Sequence, residues 1–215
     1  MNKYTNDLLH QAASVWKELA KYQYIFTYGY KKQLYTLHLT FSPEDFPHLA
    51  GFQYLKDISF PRYNSRKIVD NILNGKITYE QFQKGSQFEI SVRPKLEALA
   101  RLKDIIEKDF TLFSYMPRMY PFTTRIQADY LISSHQDMDS FVFILQRTDN
   151  QTAICECLCC SAFIKGSRDY EINQRPRIIL KKERIHTATQ KTDVLFNRIT
   201  QPVIKNNKAK GEPSA

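Results

Sequence analysis

The chain has 215 residues, of which 42% are apolar and 13% aromatic, enough to build a core and to exclude a globally disordered protein. That length fits a single domain. Thirty-one Lys and Arg against 22 Asp and Glu leave a net charge of +9, which favours an anionic partner, nucleic acid being the commonest; the competing reading is a soluble domain with a lysine-rich surface.

In chain order, residues 1–19 lack a continuous apolar segment and a small-residue cleavage site, so no secretory signal is expected. No run of eighteen apolar residues follows, so no membrane-spanning helix is expected either, and the protein is read as cytoplasmic. Leu8, Leu9, Ala12, Val15, Trp16 and Leu19 recur at helical spacing and predict an amphipathic helix over 6–20. The period then changes to two, with Tyr24, Phe26 and Tyr28 before "GYKKQ" and Leu34, Thr36, His38 and Thr40 after it, which predicts a β-hairpin. Ser42 is placed to cap a helix with Pro43 at its first position and Glu44 and Asp45 in its first turn, although Pro47 delays regular helix. Residues 66–74 read as a short helix ending at Gly75, and 78–85 as another, capped by Thr78 and stopped by Gly85. Residues 92–109 carry the clearest helical stripe, Leu96, Leu99, Leu102, Ile105 and Ile106, with the charged residues between them read as a solvated face.

After Phe110 the pattern is β: "RIQADYLISS", "SFVFILQRT", "TAICECLCCSAFI" and "RPRIILKKERI" are four strand candidates separated by polar turns. The tail 206–215 is low in apolar residues and reads as disordered. The predicted fold class is α+β, helices packed on a mainly antiparallel β-sheet. It forms a single domain over 1–205, with a helical insertion at about 64–109.

Metal and motif chemistry finds little support. On a strand, Cys155, Cys157 and Cys159 share one face and Cys160 the other, which does not gather sulfurs tetrahedrally; reduced, partly buried thiols are expected. The five histidines make no His-x-x-x-His pair, and six glycines supply no phosphate-binding loop or nucleophile elbow. No cofactor is expected. What remains is metal-free acid–base chemistry. RNA carries its own nucleophile, the 2′-hydroxyl, and its cleavage needs a base, an acid for the leaving 5′-oxygen and a cation for the phosphorane charge.

The segment "FSPEDFPHLAGFQYLKDI", residues 41–58, resembles the signature of the fourth phage and mobile-element family of Barnase–EndoU–colicin–RelE-like nucleases. That signature is an aromatic-rich hairpin followed by a His-Leu-x-Gly-Leu-x-x-Leu-x-Asp helix. His48, Leu49, Gly51, Leu55 and Asp57 fit it, with Phe52 where Leu is usual. "SFVFIL", "CSAFIKGSRDY" and "RIILKKERI" resemble the family's later elements in the same order, so the resemblance spans about 22–186. It implies a small sheet with packed helices and a toxin-like, metal-independent ribonuclease of a phage or mobile element, acting in the cytoplasm of a bacterial host. By position it implies His48 as general base or acid, Lys56 as the cation and Ser161 as the group that binds or orients the phosphate. Gly51, Asp57 and Tyr170 would support them, and Arg62, Arg66, Arg175 and Arg177 would hold the RNA backbone.

Structural readings stand beside each of these. His48 fits a helix histidine bonded to a carbonyl, Gly51 close helix packing, Lys56 and Asp57 a solvated helix end, Ser161 a cross-strand pair, and the arginines a soluble surface. The rival function is a non-enzymatic inhibitor on the same fold that binds nucleic acid or a host-defence complex, using the segment from "YNSRK" to "YEQF" as its interface. A DNA-binding regulator is weaker still, because no helix-turn-helix pattern is evident.

Overall fold

A computed structural model of the chain describes residues 7–60, 64–147 and 155–199. Arg62 and the tail 206–215 lie outside them. The helices are α1 (Leu8–Leu19), α2 (Phe46–Leu49), α3 (Ser65–Leu73), α4 (Tyr79–Gln83), α5 (Arg93–Ala100) and α6 (Leu102–Glu107). The strands are β1 (Tyr22–Tyr30), β2 (Gln33–Thr40), β3 (Thr111–Ser114), β4 (Tyr130–Ser134), β5 (Ser140–Gln146), β6 (Cys155–Ile164), β7 (Arg175–His186) and β8 (Thr192–Asn197). Among the described residues no helix is long and apolar enough to cross a membrane.

The strands run in the order β1-β2-β6-β5-β4-β3-β7, and β7 pairs back onto β1, so seven strands close into a barrel with β8 added outside on β7. The β2–β6 pairing is parallel and the others are antiparallel. This overturns the expected helices on a mainly antiparallel sheet. The physical cause is β7. It offers one edge to β1 along most of its length and divides the other, pairing Arg175–Arg177 with β3 and Lys181–Ile185 with β8. Irregularities at Thr27/Tyr28 and Phe143/Ile144 add the local bend that closure requires.

The barrel wall is buried on both faces where it matters. Val142 and Ile144 of β5 join Tyr24, Phe26, Leu37, Leu39, Leu112 and Ile132 in one core, which continues into the apolar faces of α1, α3 and α5. Phe141 and Phe143, pointing the other way, join Phe113, Tyr115, Leu131 and Tyr170 in a second, aromatic core. That two-sided burial explains why "FVFI" is a continuous apolar run rather than an alternation. The cysteines divide as the period-two reading requires. Cys157 and Cys159 belong to the first core with Cys155 packed on it, and Cys160 packs on the aromatic one.

Two expected helices are broken. Gly51 adopts φ +86°, so α2 stops after one turn and a 3₁₀ turn follows at Phe52–Tyr54. His48 and Lys56 therefore do not share a helix. The stripe over 92–109 divides at Arg101 into α5 and α6, preceded by one π turn at Phe88–Val92. The hairpin turn is two residues long, Lys31 and Lys32, both at positive φ. Asn-Gly is the usual occupant of such a turn, and two lysines there cost about 1–2 kcal/mol each.

Candidate active site

The site is built where α5 crosses β6. Lys95, one residue after Pro94 in the first turn of α5, is turned inward with Leu96 and Leu99 and is 8% exposed. Its ammonium donates to Ser161 Oγ of β6 at 3.4 Å and lies 6.0 Å from the centre of the Phe163 ring. Burial lowers the Lys95 pKa from its ordinary value, against a smaller opposite effect of Cys159 and Cys160. Those thiols are themselves pushed up by burial, Cys160 to about 11.

Gly51 makes this approach possible. It is buried, and a Cβ there would lie 3.3 Å from Val92 Cγ2 and 3.5 Å from Lys95 Cδ. His48, three residues earlier on α2, is exposed. Its pKa is lowered, first by burial of the ring's surroundings and then by the charge of Lys95, while Asp45 acts in the opposite sense. Asp45 flanks α2 as its N-cap residue, and burial raises its carboxyl.

A cavity of about 330 Å³ opens on Lys95 and Ser161, bounded by Tyr54, Phe163, Arg168 and Tyr170. Tyr170 belongs to the aromatic core, with Phe143 at 5.1 Å and Phe163 at 5.5 Å between ring centres, and so forms a rigid wall. Arg168 is exposed at the rim, its guanidinium 5.3 Å from the Phe122 ring centre.

The structure thus brings His48, Gly51, Ser161 and Tyr170 around Lys95, which sequence reasoning assigned to a solvated face. The available signal was its spacing: Lys95 sits between Val92 and Leu99 at i+3 and i−4, a charge within the apolar stripe. Lys56 is exposed and does not line the cavity. Asp57 accepts from the Ser86 backbone N–H at 2.8 Å, a bond that lowers its pKa and ties the loop after α4. Arg66 is exposed and paired with Glu44. Arg175 and Arg177 lie on β7, across the barrel from β6. Among the described residues no three His, Cys, Asp or Glu side chains gather as for a metal ion.

A buried ammonium and a hydroxyl at one cavity, with a histidine outside its lining that is held toward the neutral form partly by the charge of that ammonium, make a site for acid–base chemistry on an anionic substrate. A family model described as phage-Barnase-EndoU-ColicinE5/D-RelE like nuclease4 matches residues 8–198. The chain belongs to that family of phage-type nucleases. Nothing among the curated proteins or the solved structures matches it.

Proposed function

We propose that the chain is a metal-independent, toxin-like ribonuclease. The observation that carries this reading is the buried Lys95 ammonium on Ser161 Oγ at the cavity, with its charge acting on the His48 imidazole. Neutral His48 takes the proton of the RNA 2′-hydroxyl as that oxygen attacks the adjacent phosphorus. Lys95 balances the charge of the phosphorane in a low-dielectric site, where an ammonium acts most strongly. The bond to the 5′-oxygen breaks, and Lys95, with its pKa lowered by burial, gives a proton to that leaving group. Ser161 orients the phosphate, and Arg168 at the rim holds a flanking one.

The test is cleavage of total RNA in EDTA by wild type and His48→Ala. Wild type should cut, and the variant should be slower by about a hundredfold or more with its melting temperature nearly unchanged. Activity that vanishes in EDTA and returns with magnesium would remove the metal-free reading. A wild-type protein that binds RNA and never cuts it would transfer the chain to the inhibitor reading.

A further inference from the structure

One end of the barrel is formed by the β1–β2 hairpin and the strand ends that pair beside it, including Arg175–Arg177 of β7, Ser114 of β3, Tyr130 of β4 and Cys155 of β6. Tyrosines converge on this mouth. The Tyr28 and Tyr130 hydroxyls are 3.1 Å apart. Tyr35 stacks on Tyr28 with ring centres 5.4 Å apart and planes 15° from parallel, and Tyr30 lies 6.5 Å from Tyr35. The Arg177 guanidinium lies 3.5 Å from the centre of the Tyr30 ring and is held there by Nε donating to Ser114 Oγ at 2.8 Å. Every residue from Lys31 to Thr36 is exposed, and Lys31 Nζ is 5.3 Å from the Tyr30 ring.

A hairpin that served only to close the barrel would need neither two lysines in a left-handed turn nor an arginine laid over a half-exposed tyrosine. Aromatic faces flanked by cations are what unstacked bases and their phosphates bind, whereas a duplex hides its base faces. We propose that the barrel mouth and hairpin tip bind single-stranded RNA, its bases stacking on Tyr30 and Tyr35 and its phosphates on Lys31, Lys32 and Arg177. The choice of RNA rests on the ribonuclease reading. The surface is separate from the cavity: from Cys155 at the mouth to Ser161 is six residues of strand, about 20 Å. It therefore anchors substrate away from the bond that breaks, and it acts on KM rather than on kcat.

The experiment is fluorescence anisotropy with a labelled 2′-O-methyl single strand, which lacks the nucleophilic hydroxyl and stays intact, alongside cleavage of unmodified RNA. The informative variant is Lys31→Asn with Lys32→Gly, which removes both charges and installs residues the turn favours. It should fold at least as stably as wild type, bind about tenfold more weakly, and show a log–log salt slope shallower by about 1.4. Tyr35→Ala should weaken binding about fivefold or more. Unchanged affinity in both variants overturns the proposal, as does a wild type that binds duplex as tightly as single strand. If unmodified RNA stays uncut while binding follows these residues, the ribonuclease reading falls and this inference stands. If RNA is cut with KM unchanged in both variants, the inference falls alone.

Discussion

A lysine removed from water with one hydrogen bond to a serine oxygen is costly to the fold. The Lys95 side chain fills its space well, so Lys95→Met keeps the volume and removes the charge. Its melting temperature should match or exceed wild type while cleavage falls about a hundredfold or more, the trade expected of a residue kept for function. A clear loss of stability with cleavage intact would make Lys95 a packing residue. The same variant tests His48. A base works above its pKa, and burial with the Lys95 charge holds His48 below the ordinary 6.5. The acid limb of kcat/KM should therefore have its midpoint below 6.5 in wild type and move to higher pH in whatever activity Lys95→Met retains. Gly51→Ala should cost about 1–2 kcal/mol in urea unfolding from its left-handed backbone alone, and more if Val92 cannot give way. Of the candidate site, whose residue roles belong to the proposal, the positions of His48, Gly51 and Ser161 were singled out in the sequence because they lie in motifs of matching order. Lys95 was not, because one charge in a stripe of leucines reads by default as a residue on the rim of the buried face, and only the α5–β6 packing distinguishes the two.

At the scale of elements, the turn between β4 and β5 is tied to the segment after β6 by His135, with Lys165 beside it. His135 Nδ1 lies 2.9 Å from Asp139 and its Nε2 lies 2.6 Å from Glu171, while Lys165 pairs with Asp169 at 3.2 Å and stands 4.0 Å from Asp139. The hydrogen bond to Asp139 raises the His135 pKa most, with Glu171 adding to it against some burial. A histidine raised in the folded state contributes stability fully below its unfolded value, near 6.5, and loses it as pH rises through the folded value. The melting-temperature difference between wild type and His135→Gln should thus be largest near pH 6 and shrink toward pH 8.5. A difference that is constant or grows with pH would show that the imidazole contributes by packing instead. This pin spans 36 residues of sequence, which is why no local pattern disclosed it. Local patterns did disclose α1, the β1–β2 hairpin, α3, α4 and the four strands β4–β7, whose caps, glycines and periodicities act within a few residues. They missed β3, which is too short to show a period, and β8, whose apolar residues Val194, Leu195 and Phe196 are consecutive rather than alternating.

Over the whole molecule, the sequence carried the strands but not their closure, because barrel and open sheet share the same alternation. What separates them is a long strand able to serve two neighbours on one edge, as β7 does, and that is a property of register. Closure also fixes where charge sits relative to chemistry. Lys95 is buried, and salt screens buried charges weakly. Lys31, Lys32 and Arg175 are exposed, with Arg177 half-buried beside them, and the net charge of +9 adds a field that attracts anions. Salt should therefore separate binding from turnover. If about four phosphates are neutralised on a single strand, the log–log slope of affinity is about −3, so raising salt from 50 to 200 mM weakens binding about fiftyfold. On the mechanism proposed, kcat/KM for a single-stranded RNA should fall by tens-fold over that range, while kcat at saturating RNA changes less than about twofold. Steady-state kinetics at the two salt concentrations measures both. A kcat that falls in parallel with kcat/KM would place the salt-sensitive cations at the reacting phosphate, and would move the catalytic charge from Lys95 to an exposed residue such as Lys56 or Arg168.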